Sequence, residues 1–199
     1  MTQQIILASG SAIRATMLRN AGVEFEIAKP NIDEEAIRAS LVAEDALPRD
    51  VADCLAEAKA RKIALKFPGA LVLGSDQVLA HDKDILSKPA SPDEAKDQLT
   101  RLSGARHSLL SAAVLYDEGK PIWRHVGEVR LTMRALSPDY IDAYISRNWD
   151  SIRHSVGGYK IEEEGVRLFS RIEGDYFAIL GLPMVQLLTY LTMRGTLQG

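Results

Sequence analysis

The chain has 199 residues, of which 46% are hydrophobic and 26% charged, the balance of a globular protein long enough to bury its own core. Lys and Arg number 24 against 27 Asp and Glu, a net charge of −3, so no cationic excess suits a nucleic-acid backbone or an anionic membrane surface. A lone cysteine, Cys54, excludes an internal disulfide and a zinc-ligand spacing, which fits a reducing cytoplasm.

The opening MTQQIILASGSAIR carries too short an apolar stretch for a secretory leader, and no apolar run approaches the roughly 18–20 residues of a membrane span. No low-complexity tract, linker or internal repeat divides the chain, so residues 1–199 are expected to form a single domain. Gln4–Ala8 is an apolar, β-branched run ending at Ser9-Gly10-Ser11. Ile13, Met17, Leu18 and Ala21 then recur at helical spacing up to Gly22, which gives strand, loop, helix. Val23–Ala28 reads as a second strand, followed by the acidic Asp33–Glu35 in a loop or helix start.

Asp50–Phe67 is an amphipathic helix stopped by Pro68-Gly69, with Cys54 expected as a small core residue on it. The buried strand Ala70–Gly74 runs straight into Ser75-Asp76-Gln77. Ser91-Pro-Asp-Glu94 carries a capping serine, a proline at the first helical position and a glutamate three residues after the cap, and predicts a helix to about Leu102. Ser137-Pro-Asp opens another. Between them, Ser108–Tyr116 and Pro121–Met133 are strand-like and joined by a turn, and a second hairpin is expected around Glu173-Gly174-Asp175. Pro183–Arg194 has helical periodicity, and Leu182–Leu191 supplies apolar surface for a homodimer or for the core alike. Mixing βα units with hairpins disfavours a purely parallel doubly wound sheet and predicts an α/β fold, a mixed sheet with packed helices.

The phosphate loop G-x-x-x-x-G-K-[ST], the dinucleotide fingerprint G-x-G-x-x-G, H-E-x-x-H and G-x-S-x-G are all missing. His81, His107, His125 and His154 stand singly, as ordinary surface or core histidines do. Three features stand above this background. Ser9-Gly10-Ser11 with Arg14 sets hydroxyls, free N–H groups and a guanidinium where a strand end meets a helix start, an arrangement that suits phosphate as well as a plain helix cap. Asp76 directly follows a buried strand, where open α/β sheets present catalytic groups and where turn aspartates are also common. Lys59 and Lys88 add cations that would otherwise be surface charge. With Asp33 and Glu34 they supply what a polyphosphate site requires, cations around the phosphates and a carboxylate that holds a divalent ion or takes a proton from water.

These residues sit in segments that resemble the Maf family. IILASGSAIRATML is similar to its N-terminal S-x-S-x-x-R signature. In order along the chain follow Asp33-Glu34, LAEAKA with Lys59, VLGSDQ with Asp76, SKP with Lys88, LSG at 102–104, GGYKIEEEG at 157–165 and GDYFAILGLPM at 174–184. The resemblance implies a mixed α/β fold of two merged lobes around a cleft, akin to inosine-triphosphate pyrophosphatases. It also implies metal-dependent hydrolysis of nucleoside triphosphates to the monophosphate and pyrophosphate, with Mg or Mn as the expected divalent cation. By that match Asp76 is the general base or metal-linked carboxylate, Ser9, Ser11, Arg14, Lys59 and Lys88 bind phosphate, and Asp33, Glu34 and Asp76 hold metal.

The resemblance also bears on the base. Members that prefer dTTP and UTP carry an arginine, a threonine and a glutamine where this chain has Ile13, Gln77 and Glu162. Gln77 and Glu162 match the branch that resembles 7-methyl-GTP pyrophosphatases, and a carboxylate at Glu162 suits a cationic methylguanine. That branch has tryptophan where Ile13 stands and proline where Ala12 stands. The expectation is thus a house-cleaning pyrophosphatase acting on modified nucleotides, foremost 7-methyl-GTP. The alternatives are a dTTP/UTP or broad-specificity enzyme, and, from the family's link to septum formation, a nucleotide-binding regulator of cell division without turnover.

Overall fold

The computed structural model describes residues 3–198. Strand β1, Ile5–Ala8, is buried at all four positions and is followed by helix α1, Ala12–Asn20. Strand β2 is only Glu26–Ile27, shorter than the expected 23–28, and pairs parallel with β1. Val23 and Phe25 are instead drawn into core packing. Helix α2, Glu34–Ala43, occupies a segment where only an acidic loop or helix start is legible; none of its residues is buried, and Ile37 and Leu41, one turn apart, are half-buried.

Helix α3, Pro48–Ala64, buries Val51, Ala52, Leu55, Ala56, Lys59, Ala60 and Ile63. That stripe corrects one expectation: Cys54 falls on the opposite side and is exposed, with partial burial first, and then the charges of Asp53 and Glu57, holding its thiol above the usual range. Strand β3, Leu71–His81, runs seven residues beyond the predicted Gly74 and carries Ser75-Asp76-Gln77 inside it. Strand β4, Asp84–Leu86, returns antiparallel on β3. Helix α4, Pro92–Leu102, is capped as predicted, the Ser91 hydroxyl accepting from the Glu94 amide at 3.1 Å. Strands β5, Arg106–Asp117, and β6, Lys120–Met133, form the expected hairpin through Glu118-Gly119, both at positive φ.

Helix α5, Pro138–Ile152, starts at the predicted Ser137 cap. Two short 3-10 turns, Val156–Gly158 and Glu164–Leu168, lead to strand β7, Phe169–Glu173. The expected hairpin at Gly174 does not form. Strand β7 pairs antiparallel with β6, and the chain then enters helix α6, Tyr176–Ile179, before helix α7, Met184–Met193. The sheet is mixed, in the order β2-β1-β3-β5-β6-β7 with β4 on β3, so the α/β expectation holds. Among the described residues no helix is long and apolar enough to cross a membrane.

The chain divides into two compact units, one of Met1–Gln77, Ser111–Gly127 and Tyr176–Gly199, the other of Val78–Leu110 and Glu128–Asp175. The first is built around Ile5, Leu7, Leu18, Leu71, Leu73 and Leu115, and Leu182, Met184, Leu187 and Leu191 are buried in the same core. The second buries Leu79, Leu99, Leu102, Leu109, Ile141, Tyr144 and Leu168. It also encloses His107, whose Nε2 lies 2.8 Å from the Tyr159 hydroxyl. Burial and the nearby His81 draw that imidazole down to about 4.

Candidate active site

Side chains alternate along a strand, so Gly74 and Asp76 face one side of β3 while Ser75 and Gln77 face the other. On the first side lies α3. A Cβ built on Gly74 would come 2.2 Å from the Ala56 carbonyl oxygen and 2.6 Å from the Ala60 nitrogen, so helix backbone rests directly on strand backbone there. One turn of that helix carries Lys59, and the close approach brings its ammonium 2.6 Å from Asp76 Oδ1. The same ammonium lies 3.0 Å from Glu34 Oε2 at the start of α2. Lys59 and Asp76 are both almost fully buried, at 6% and 5% exposure. The two carboxylates share the one ammonium, and Asp76 Oδ2 is buried with no partner among the described residues. A buried carboxylate oxygen left open is costly unless something else binds there.

On the opposite side of β3 the hydrogen bonds run to the segment before α7. Arg14, 8% exposed, donates from Nε to the Gly181 carbonyl at 2.8 Å and from Nη1 to the Ser75 carbonyl at 3.0 Å and the Ser9 hydroxyl at 3.3 Å. Burial pushes this guanidinium below its ordinary value, and Asp76 and Glu34 pull it back. Arg14 thus anchors strand and loop backbone as well as placing positive charge behind the site. The hydroxyl of Ser9 also accepts from the Ser11 amide at 3.2 Å, tightening the turn into α1. Gln77 donates from its amide to Ser111 Oγ at 3.0 Å, the Ala178 carbonyl at 3.2 Å and the Ile179 carbonyl at 2.8 Å.

The first unit therefore gathers Glu34, Lys59 and Asp76 into one ion cluster, with Ser9 and Arg14 reaching β3 from its other side. Asp33 goes elsewhere: it is exposed, and its Oδ1 accepts from the Ala36 amide at 2.9 Å as the cap of α2. Ile13 is half-buried on α1. Lys88 and Glu162 are exposed residues of the second unit. There Glu163 is engaged by Ser151 and Lys160, and Glu164 by Arg147 and Asn148. The outcome at Glu164 is a carboxyl held at about 2, chiefly by its hydrogen bonds from Arg147 and Asn148. Sequence reasoning missed Ser75, Ser111 and Gly181. A polar residue inside the apolar run SLLSAAVLY is the one local signal that marks Ser111.

The donors present suit a divalent cation. Asp76 Oδ2 is open, Glu34 is a neighbouring carboxylate at 40% side-chain exposure, and the two converge on Lys59. No group of three His, Cys, Asp or Glu residues in metal-binding array occurs among the described residues. A cation here would draw on protein carboxylates together with phosphate oxygens and water, as magnesium commonly does.

A family profile described as Maf-like protein matches residues 4–194. The chain belongs to the Maf family. It is 61% identical over 197 residues to a protein of Ruegeria pomeroyi named nucleoside triphosphate pyrophosphatase, covering 99% of each chain. A protein of Roseobacter denitrificans with the same name is 60% identical at the same coverage. A Mesorhizobium japonicum protein named 7-methyl-GTP pyrophosphatase is 47% identical over 199 residues, the full length of both.

Proposed function

We propose that this Maf protein is a hydrolase that cleaves nucleoside triphosphates between the α- and β-phosphates, releasing pyrophosphate. The observation that carries the reading is the Glu34–Lys59–Asp76 cluster, in which one buried carboxylate oxygen is left open beside a buried cation. The names of relatives at 60% and 61% identity over nearly the whole chain support the same reaction.

Asp76 acts through its open Oδ2 as the general base or metal-linked carboxylate that activates the attacking water, while Lys59 on Oδ1 fixes the carboxylate so that the open oxygen alone faces the reaction. The Ser9 and Ser11 hydroxyls, the amides at the start of α1, Arg14, Lys59 and Lys88 neutralise the triphosphate and the leaving pyrophosphate, which is most of the catalytic work in such transfers. Asp76 and Glu34 would hold a Mg or Mn ion, with Asp33 fixing the start of α2 beside them. That ion supplies Lewis-acid neutralisation of phosphate charge when bound.

For the base, 7-methyl-GTP is the favoured substrate, with Glu162, Gln77 and Ile13 as the specificity positions. Glu162 is exposed beside two glutamates that are already engaged, and its carboxylate suits the positive charge of a methylated guanine. The Mesorhizobium relative's name supports this choice. The enzyme acts as one Maf domain over residues 1–199 in the cytoplasm, on free nucleotides rather than on nucleic acid or membranes, alone or as a homodimer.

The test is pyrophosphate release from 7-methyl-GTP, GTP, dTTP, UTP and CTP with and without magnesium, wild type beside Asp76→Asn. Metal-dependent turnover that is highest on 7-methyl-GTP and lost in the variant is expected. Preference for dTTP and UTP would discard the assignment of the base, and a fully active Asp76→Asn protein would discard the mechanism.

A further inference from the structure

The end of α6 and the loop that follows it are held by side chains that flank the reacting carboxylate. On one flank, the Gly181 carbonyl accepts from Arg14 Nε at 2.8 Å and from the Ser75 hydroxyl at 3.0 Å. Gly181 sits at φ +99°, and a Cβ there would come 3.1 Å from the Arg14 guanidinium, so only glycine lets that carbonyl meet both donors. On the other flank, the Ala178 carbonyl accepts from Ser111 Oγ at 2.6 Å and from the Gln77 amide at 3.2 Å, and Ile179 takes the same amide at 2.8 Å. Gln77 also donates to Ser111 Oγ at 3.0 Å.

We propose that Ser111 and Gln77 are positioning residues, which act through the 178–181 segment to fix the backbone on both sides of Asp76. Strand alternation divides the roles along β3. Asp76 points at Lys59, so it cannot brace itself against the other face. Its neighbours Ser75 and Gln77 do point that way, and both end on carbonyls of the same short segment. Ser111, wholly buried on β5, completes the arrangement by accepting from Gln77 while donating to Ala178. Removing its hydroxyl takes the 2.6 Å donor from the Ala178 carbonyl and leaves it only the longer 3.2 Å bond from Gln77, so the segment relaxes and Asp76 is free to shift against Lys59. Gln77 therefore also influences the reaction through backbone placement, by the amide that reaches Ser111, Ala178 and Ile179. This rests on Asp76 being the reacting group.

The experiment compares wild type with Ser111→Ala, Gln77→Met, the double variant and Ser111→Thr, on 7-methyl-GTP, GTP and UTP. The expected result is a fall in kcat of roughly ten- to a hundredfold in Ser111→Ala and Gln77→Met, with KM within about twofold. The double variant should be no worse than the poorer single one, and Ser111→Thr, which keeps the hydroxyl, should recover most of kcat. The ratio of kcat/KM between bases should stay constant in the Ser111 variants. A base ratio that collapses in Ser111→Ala, or a Ser111→Ala protein with wild-type kcat, overturns the proposal. Amide hydrogen exchange of the unliganded protein separates this from the functional reading. Should wild type release no pyrophosphate, the pyrophosphatase reading fails, while faster exchange at 75–77 and 178–181 in Ser111→Ala still sustains the brace and unchanged exchange refutes it.

Discussion

Gly74→Ala is the sharpest probe of how the site is assembled, because it adds one methyl group at the point where α3 meets β3. The new Cβ would lie 2.2 Å from the Ala56 carbonyl oxygen, 2.6 Å from the Ala60 nitrogen and 2.8 Å from the Ala60 Cβ. Two of those three atoms are helix backbone, which has no rotamer to swing aside. Ordinary contact begins near 3.4 Å, so α3 must retreat by about 1 Å. Overpacking of this kind costs roughly 1–3 kcal/mol, which in a protein of this size lowers Tm by about 2–4 °C per kcal/mol. Lys59 rides on the displaced turn, so its 2.6 Å contact with Asp76 lengthens as well. A misplacement of about 1 Å at reacting groups costs on the order of a hundredfold in rate. Thermal melting together with pyrophosphate release at saturating nucleotide reads both effects. A Gly74→Ala protein that melts within 1 °C of wild type and keeps its kcat would refute the reasoning, because the helix would then have had room to spare.

Three further expectations follow from the same geometry. Asp76→Asn should lower pyrophosphate release by at least about a hundredfold; its stability should fall by less than the roughly 3–5 kcal/mol of a broken buried pair, because Glu34 still meets Lys59 at 3.0 Å, and denaturant titration measures this. Arg14→Lys should destabilise by about 2 kcal/mol or more, since one ammonium cannot serve the Gly181 and Ser75 carbonyls and the Ser9 hydroxyl together. His107 should make folding acid-sensitive. Its folded value of about 4 lies below the unfolded 6.5, so the unfolded chain binds the proton more readily. Its contribution is fully present above pH 6.5 and is lost as pH falls towards 4, by about 3 kcal/mol in all. A His107→Phe variant should flatten the fall in Tm between pH 6.5 and 4, and an unchanged slope would count against the assignment.

The elements with strong local signals were legible in the sequence. Ser91-Pro-Asp-Glu94 and Ser137-Pro-Asp139 cap helices where they stand, and Asp117–Lys120 turns the long hairpin. Helix α2 was not, because its apolar stripe is short, Ile37 and Leu41, and the acidic Asp33–Glu35 before it reads as a loop or a helix start alike. Gly174 misleads for a different reason. A glycine between a strand and polar residues signals a turn, but at φ +139° against Val129 it ends β7 and the chain passes into α6 instead of a return strand. For Cys54, composition suggested burial while the phase of α3 placed it outside.

The candidate site divides along the same physical line. Asp76 and Lys59 stand 17 positions apart, and nothing local in their segments states that they touch. What joins them is Gly74, the residue whose missing side chain lets the helix lie on the strand. Arg14 is more instructive. From the S-x-S-x-x-R segment it reads as a free cation for phosphate, yet its nitrogens meet two backbone carbonyls, one of them 167 positions away. A buried guanidinium serves both purposes at once, because hydrogen bonds to neutral carbonyls leave its charge uncancelled. Its positive potential is therefore held in place before any phosphate arrives, with no reorganisation required when charge develops in the transition state. On this view the rigid brace behind β3 and the open carboxylate oxygen in front of it are parts of one device, and loosening the first should cost turnover well before it costs binding.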